Sequence, residues 1–170
     1  MNELKVNPNC MSALLVDSEA AIAAVPTVKL QDALIRVAHL RQRQSTSTRG
    51  QGDGWAISDI LGERVHLMIQ CMEAWIVADP EALEEFYKQN FKKEKLPKRA
   101  NLEEESKADV YAKLEKATEG TQKGKYGKIK HASKLLGKVS PDKIANRCPR
   151  FAIFREWLNQ SIENPPSNTR

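Results

Sequence analysis

The feature that most constrains the fold is a short apolar run, residues 11–16, which ends abruptly in the acidic turn Asp17-Ser18-Glu19. A continuous apolar run of this length is typical of a strand buried on both faces, as in a parallel sheet. The carboxyl ends of parallel strands are where α/β sheets bind ligands. The acidic turn is therefore the first candidate site in this chain.

The rest of the chain predicts helices around such a sheet. Apolar residues at helical spacing predict a helix over residues 28–42, and the polar, Gly-rich stretch 43–54 predicts a flexible loop. The apolar segment 65–70 predicts a second buried strand, and residues 71–78 predict a helix. Further helices are expected after the capping residues Asp79 and Ser140, around Val110, Leu114 and Ala117, and from Pro149. The fold predicted is α/β, a small and mostly parallel sheet flanked by helices, with a helical C-terminal half.

Length and composition are those of one globular domain. The chain has 170 residues and is 41% hydrophobic, enough to bury a core. We expect a single domain over residues 1–162 and a frayed, Pro-rich tail over residues 163–170. No apolar stretch is long enough to span a bilayer, which predicts a soluble, cytoplasmic protein without membrane attachment.

Charge and cysteine content narrow the function only a little. Lys plus Arg is 27 and Asp plus Glu is 22, so the formal net charge is 27 − 22 = +5. Basic residues concentrate in the stretch 92–138, which permits nucleic-acid binding without proving it. The three cysteines are widely spaced and form no Cys-x-x-Cys pair, which indicates reduced structural thiols.

The acidic turn offers the clearest chemistry. Asp17 and Glu19 are one residue apart at a strand end, so both carboxylates can turn toward one point. Carboxylate oxygens are ligands for hard cations such as Mg²⁺ or Mn²⁺, and such an ion could bind a phosphate oxygen and activate water. The alternative is that Glu19 merely caps the turn or helix that follows.

Three polar residues interrupt the most apolar segment of the chain: His66, Gln70 and Glu73. On a helix their spacing places them on one face, and on a strand His66 and Gln70 still share a face. A buried carboxylate is costly unless it is paired or bound to metal, so Glu73 is a candidate catalytic residue. The alternative is a supporting polar network in the core.

A basic, Gly-rich stretch covers residues 120–131. Glycines let the backbone approach a phosphate closely, while Lys125, Lys128 and His131 supply charge for phosphate or nucleic-acid contact. The pattern is not a nucleotide-binding P-loop, because Gly-x-x-x-x-Gly-Lys-Ser/Thr is absent. The alternative is a solvated basic loop.

Taken in order, these segments resemble a known family. The segments are Ala13-Leu-Leu-Val-Asp-Ser-Glu19, His66-Leu-Met-Ile-Gln-Cys-Met-Glu-Ala-Trp75, Ala78-Asp-Pro-Glu-Ala-Leu83, Lys125-Tyr-Gly-Lys128 with His131, and Pro149. Their order resembles the bacterial domain-of-unknown-function family 4276, which is grouped with Toprim-like folds. The resemblance covers residues 11–158, and its most specific block is residues 66–75.

The resemblance implies a metal-dependent phosphoryl-transfer domain. Toprim domains, found in topoisomerases, primases and certain nucleases, use one glutamate after the first strand and an Asp-x-Asp pair after a later strand. Asp17 and Glu19 look like that pair with Glu in place of the second Asp, and would ligate Mg²⁺ or Mn²⁺. Glu73 would add an acidic group, while Lys128 and His131 would contact phosphate. Related proteins often accompany an AAA-type ATPase in phage-defence or restriction loci.

The resemblance also implies an N-terminal segment of several dozen residues, with a first strand and a Glu-Gly-rich turn, which this sequence lacks. Truncation, a misassigned start and supply by another polypeptide are the three explanations. Three functions stay open at this point. They are a Toprim-like nuclease domain or a remnant of one, a non-catalytic subunit that binds nucleic acid or an ATPase, and a small-molecule phosphohydrolase.

Overall fold

The computed structural model describes residues 12–26, 29–42 and 59–164. They form a two-stranded parallel sheet and seven α-helices. The strands are β1 (Leu14–Asp17) and β2 (Val65–Met68); the helices are α1 (Lys29–Gln42), α2 (Glu73–Val77), α3 (Pro80–Tyr87), α4 (Lys107–Thr118), α5 (Lys128–Leu136), α6 (Pro141–Arg147) and α7 (Pro149–Glu163). Short 3-10 helices occur at Asp59–Arg64, Lys93–Lys95 and Leu102–Glu104. The predicted loop 43–54 and the end of the predicted tail, residues 165–170, lie outside the described residues.

The two strands run parallel and end at the same edge of the sheet. Leu14 pairs with Val65, and Asp17 pairs with Met68. Backbone pairing continues past β1, because the Ser18 amide donates to the Met68 carbonyl at 2.9 Å. The α/β prediction with a small parallel sheet is confirmed, and so is the helical C-terminal half.

Alternation along β2 divides the core into two clusters. Val65, Leu67 and Ile69 pack with Val37 and Leu40 of α1. Successive residues of a strand point to opposite faces, so Met68 belongs to the other side. There it packs against the larger cluster, which the helices after β2 form together. The two faces of β2 therefore contact two different core clusters.

Of the two predicted capping residues, Asp79 caps its helix with its side chain and Ser140 does not. The Asp79 side chain accepts a hydrogen bond from the Ala82 amide at 3.1 Å, and Pro80 is the first residue of α3. Ser140 precedes α6 but makes no side-chain cap; its amide donates to the second Asp79 oxygen at 2.9 Å. Asp79 therefore joins the starts of two helices that are distant in sequence.

A buried ion-pair network joins α1 to α7. The Asp32 carboxylate pairs with Arg36 on the same helix at 2.9 Å and with Arg150 of α7 at 3.0 Å. The Arg150 amide donates to the Glu103 carboxylate at 2.7 Å. Burial raises the pKa of Glu103 to about 7, although Arg150 partly offsets this. These four charged side chains are buried, and each has an oppositely charged neighbour.

Two of the three cysteines are buried in the core. Cys71 and Cys148 are buried free cysteines, as predicted, and burial raises the pKa of the Cys71 thiol to about 12. Cys10 lies outside the described residues. Within the described parts of the chain, every helix is too short or too polar to cross a membrane.

Candidate functional site

Asp17 is the last residue of β1 and lies at the carboxyl edge of the sheet. Its Oδ1 accepts a hydrogen bond from the Met72 amide at 2.8 Å, which ties it to the segment that leads into α2. Its Oδ2 lies 3.3 Å from Nζ of Lys128. The side chain is 13% exposed, so the carboxylate is held by protein groups but still reaches solvent.

Glu73, the first residue of α2, is the most deeply buried carboxylate of this edge. Its Oε1 accepts hydrogen bonds from the hydroxyls of Tyr111, at 2.6 Å, and Tyr126, at 2.9 Å. The same oxygen lies 4.0 Å from Nζ of Lys128. Its Oε2 is buried and has no hydrogen-bond partner among the described residues. A buried carboxylate oxygen left in this state attracts a donor or a cation.

Lys128 connects the two carboxylates. It is the first residue of α5, and its ammonium group approaches both Asp17 and Glu73. Burial by itself lowers the pKa of Lys128, but the charges of Asp17 and then Glu73 outweigh it and raise the pKa above the usual value. Lys128 is therefore a cation at neutral pH. The side chain is nevertheless 47% exposed, so it can swing into solvent.

The two tyrosines act as fixed donors. Burial, reinforced by the charge of Glu73 and the hydrogen bond to it, raises the pKa of Tyr111 and of Tyr126 well above the usual range. Both hydroxyls therefore keep their protons at physiological pH. They hold the Glu73 carboxylate in one orientation.

Glu19 is directed to a different cation. It has a left-handed backbone conformation, with φ of 65°, which is uncommon for a residue other than glycine. Its carboxylate pairs with the ammonium of Lys107, the first residue of α4. The Lys107 amide also donates to Oε1 of Gln70 at 3.3 Å. Glu19 and Gln70 thus meet at Lys107, beside the cluster of Asp17 and Glu73.

The carboxylate oxygens of Asp17 and Glu73 are ligands of the type that Mg²⁺ prefers. In the described part of the chain, no group of three or more His, Cys, Asp or Glu side chains is placed to hold a metal. Mg²⁺ typically uses only one or two protein carboxylates and completes its shell with water and substrate phosphate. Asp17 and Glu73 face one lysine, and Oε2 of Glu73 is buried without a partner among the described residues. Asp17 and Glu73 are therefore the described carboxylates that could hold such an ion.

His66 lies away from this cluster. On β2 its Nδ1 lies 3.1 Å from a guanidinium nitrogen of Arg36, and its ring packs against Phe154 and Trp157 of α7. Burial, then the Arg36 charge, lowers the pKa of His66 to about 4. His66 is therefore neutral at pH 7. The structure does not bring it together with Glu73.

The basic stretch 120–131 divides into exposed lysines and a buried histidine. Lys125 is exposed and pairs with Glu115 at 2.9 Å. His131 is buried, and its Nδ1 accepts from the Gly127 amide at 3.1 Å, just before α5 begins. Gly124 has φ of 77°, and a Cβ added there would meet nothing within 4 Å. The glycine serves the turn itself, since no neighbouring group crowds it.

The structure therefore brings together Asp17, Glu73 and Lys128. Sequence reasoning did not identify the tyrosines of this cluster. Tyr126 lies inside the segment quoted for the resemblance, next to Lys125, and could have been noticed there. Nothing in the sequence distinguishes Tyr111 from an ordinary amphipathic helix residue.

Comparisons with known proteins identify a family for this chain. Neither the curated proteins nor the solved structures contain a match to the chain. The family model described as Domain of unknown function (DUF4276) matches residues 1–159. That match covers most of the chain, and the protein is therefore a member of the DUF4276 family.

Proposed function

We propose that this protein is a phosphoryl-transfer domain of the Toprim-like type, acting as a nuclease. One observation supports this above the others. Asp17 and Glu73, from different elements, meet at the same lysine at the carboxyl edge of a parallel strand pair. Two carboxylates and a lysine at such an edge are the groups needed to hold a hard cation beside a phosphate.

Each group has a role in this proposal. Asp17 and Glu73 would hold Mg²⁺ or Mn²⁺, and such an ion would neutralise phosphate charge and supply an activated water. Tyr111 and Tyr126 orient the Glu73 carboxylate through their hydroxyls. Lys128 contacts the substrate phosphate. His131 accepts a hydrogen bond from the Gly127 amide and so positions the start of α5, which carries Lys128.

Lys128 also compensates the negative charge of the site. Without a metal its ammonium compensates the charges of Asp17 and Glu73, which stabilises two carboxylates that would otherwise repel each other. A divalent cation competes with that ammonium for the same oxygens. Lys128 is half exposed, so it can turn from the carboxylates to a phosphate as the metal binds.

Cleavage of DNA tests the proposal directly. Plasmid and single-stranded DNA are incubated with the protein and Mg²⁺ or Mn²⁺, and the products are separated by electrophoresis. We expect metal-dependent cleavage that Asp17→Asn reduces by about a hundredfold or more, since a lost charge in an active site costs several kcal/mol. The asparagine keeps an oxygen for the Met72 amide, so the turn should stay folded.

The matched control is Asp142→Asn, which makes the same change on an exposed ion pair with Arg155. This variant should cut as well as the wild type. Equal cleavage by wild type and Asp17→Asn would overturn the assignment of the site. A complete absence of cleavage, together with an absence of Mg²⁺ binding by calorimetry, would overturn the catalytic proposal.

The proposal includes a partner. A third carboxylate, of the kind the family resemblance implies, would come from another polypeptide or a further segment of a longer chain, and an AAA-type ATPase would act with the domain in phage defence or restriction. Affinity purification from the native host tests this. Recovery of an ATPase at fixed stoichiometry supports it, and recovery of the chain alone with full nuclease activity contradicts it.

A second candidate is a non-catalytic subunit that binds nucleic acid. Its support is the exposed lysine surface formed by Lys123, Lys130 and Lys134 on α5 and the preceding loop. None of these three has a carboxylate partner within the described residues. In addition, Lys107 and Lys128 already neutralise the acidic edge. This arrangement presents net positive charge beside the candidate site, as phosphate backbones require.

Salt dependence of DNA binding tests this second candidate. Anisotropy titrations with labelled DNA give the slope of log affinity against log salt. The double variant Lys130→Ala/Lys134→Ala should lower that slope by about 2, because each lysine neutralises one phosphate. Lys29→Ala on α1 removes one positive charge elsewhere and should leave the slope unchanged. Unchanged binding by the double variant contradicts the assigned surface.

A further inference from the structure

One apolar side chain on the exposed face of α5 has no role in either proposed function. Ile129 follows Lys128 and is the second residue of that helix. Its relative exposure is 101%, the highest among the large apolar side chains of the described residues, and it belongs to neither core cluster. A single exposed apolar side chain is common on protein surfaces. The neighbours of Ile129, and not its exposure alone, therefore decide what it can bind.

Helical geometry places Ile129 between lysines on both sides. Successive residues of a helix are about 100° apart around its axis, so Lys128 lies on one side of Ile129 and Lys130 on the other. Lys134 is one turn after Lys130 and continues that second side. The side that faces the core holds the buried residues His131, Ala132 and Leu135. Ile129 is thus on the solvent side of α5, between the candidate site and the exposed lysine surface.

The lysines beyond Ile129 keep their charge available for a ligand. Lys130 and Lys134 are exposed. The Lys130 ammonium donates to the Lys123 backbone carbonyl at 3.1 Å, and a carbonyl holds the side chain without neutralising its charge. On the other side of Ile129, the Lys128 ammonium lies 3.3 Å from Asp17 and so marks the candidate site. Ile129 therefore interrupts a strip of positive charge that leads to that site.

An isoleucine in such a strip favours a ligand that offers more than phosphate. Lysines attract a phosphate backbone through charge, whereas an isoleucine side chain has no donor and gains only by covering apolar surface. In a nucleic acid that surface is the face of a base, and isoleucine is among the side chains that proteins insert between bases. In a duplex the base faces are stacked on one another, but in a single strand they are open to contact. Lysines on both sides of an isoleucine therefore suit a single strand.

We propose that Ile129 packs against an unpaired base of a single-stranded nucleic acid, while Lys130 and Lys134 bind the phosphates of the same strand. The strand then continues past Lys128 to the candidate site. Space for it is present, because a Cβ added at Gly127, just before α5, would meet nothing within 4 Å. The proposal rests on a nucleic-acid function for this chain. It adds the substrate class, since an unpaired strand should be preferred to duplex.

Anisotropy titrations of the full chain with labelled single-stranded and duplex DNA of one sequence test the proposal. Ile129→Ser should weaken binding of the single strand about fivefold and of the duplex less than about twofold. Serine and isoleucine have similar helix propensity and the side chain is exposed, so α5 should keep its start. The slope of log affinity against log salt should stay unchanged, because no charge is removed. Ile129→Phe should tighten single-strand binding about threefold, because a ring stacks on a base.

Two controls separate a base contact from other effects. Ile162→Ser makes the same change at an exposed position of α7 and should bind DNA as the wild type does. Inorganic polyphosphate, used as a competitor, carries charge without bases and should bind wild type and Ile129→Ser equally. Wild-type affinity of Ile129→Ser for single-stranded DNA overturns the proposal, and so does an equal loss with duplex or polyphosphate; both results leave the nuclease proposal standing. A wild-type chain that binds neither form of DNA would instead overturn the nucleic-acid functions, and this contact with them.

Discussion

Two groups of paired charges in this molecule differ in the burial of their cations. In the network of Asp32, Arg36 and Arg150 the arginine side chains are 5% and 4% exposed. In the cluster of Asp17 and Glu73 the cation is Lys128, which is 47% exposed. The first network is enclosed by α1, β2 and α7, whereas the second opens at the edge of the sheet.

The difference separates charges that hold the fold from charges that can be exchanged. A buried guanidinium cannot leave without stranding its carboxylates in a low-dielectric interior. A half-exposed lysine can turn to water at little cost, because water solvates its ammonium group. Chemistry that requires a carboxylate to change partners therefore suits the second cluster.

The largest expected effect comes from removing a buried arginine. Arg150→Met leaves the carboxylates of Asp32 and Glu103 without this neighbouring cation, and should lower the free energy of unfolding by about 3–5 kcal/mol. Urea denaturation measures it. The matched control, Arg155→Met, breaks an exposed pair with Asp142 and should cost less than about 1 kcal/mol. A similar loss of unfolding free energy in the two variants would contradict the view that the buried network stabilises the fold more than exposed ion pairs do.

The next largest effect is expected in acid, where His66 becomes protonated. Its pKa is about 4 in the folded protein and about 6.5 when exposed, so folding favours the neutral ring. The neutral ring therefore contributes about 3 kcal/mol to the free energy of unfolding above pH 6.5. This contribution is lost as the pH falls toward 4. Glu103, with a folded pKa of about 7, acts in the opposite direction, since its protonation below pH 7 favours the folded state. The difference between wild type and His66→Phe isolates the histidine.

That difference is measured as unfolding free energy against pH in urea titrations from pH 4 to 8. Wild type should lose stability relative to His66→Phe as the medium becomes more acidic. Parallel curves for the two proteins would show that the pKa of His66 is the same in the folded and unfolded states, contrary to its burial beside Arg36.

A smaller loss of stability is expected when one hydrogen bond to Glu73 is removed. Tyr126→Phe removes one hydroxyl donor to the Glu73 carboxylate and should cost about 1.5–3 kcal/mol of unfolding free energy. Tyr87→Phe is the control. The Tyr87 hydroxyl is buried without a described hydrogen-bond partner, so its loss should be neutral or stabilising. A larger cost for Tyr87→Phe than for Tyr126→Phe would contradict the described network.

The smallest stability effect is expected at Lys128 itself. Lys128→Met should change the free energy of unfolding by no more than about 1 kcal/mol, because the ammonium is half exposed. Mg²⁺ binding, measured by calorimetry, should tighten about fivefold, since a competing cation has gone. Lys125→Met removes a neighbouring charge that pairs with Glu115 and should leave Mg²⁺ affinity unchanged. Weaker Mg²⁺ binding in Lys128→Met would contradict the exchange of cations.

The sequence predicted those features that depend on local patterns. The apolar run before Asp17 and the capping residues Asp79 and Pro80 indicate their elements directly, because strand and cap signals lie within a few residues. The strand boundary shifted, since β1 begins at Leu14 and not at residue 11. The strand end indicated Asp17 with Glu19, and the cost of burying a carboxylate indicated Glu73. The structure brings Asp17 and Glu73 to Lys128, whereas Glu19 pairs with Lys107.

What the sequence could not predict depends on contacts across the fold. The separation of His66 from Glu73 follows from a strand that ends at Met68 and a helix that starts five residues later, so a common face was not available. The burial of His131 follows from packing against Tyr87 and Tyr126, which one-dimensional spacing does not encode. Asp32 and Arg36 have the i, i+4 spacing of one helix face, whereas no local pattern indicates that Arg150 joins them.

The register of the short sheet has a consequence for how the protein folds. β1 pairs with a strand far along the chain, Leu14 with Val65. The groups of the cluster are equally distant in sequence, because Tyr126 is 53 residues from Glu73 and Lys128 is 111 residues from Asp17. Contacts between distant segments form late, because loop closure must precede them. We therefore expect neighbouring helices to pair first, and the cluster of Asp17, Glu73 and Lys128 to assemble only when folding is complete.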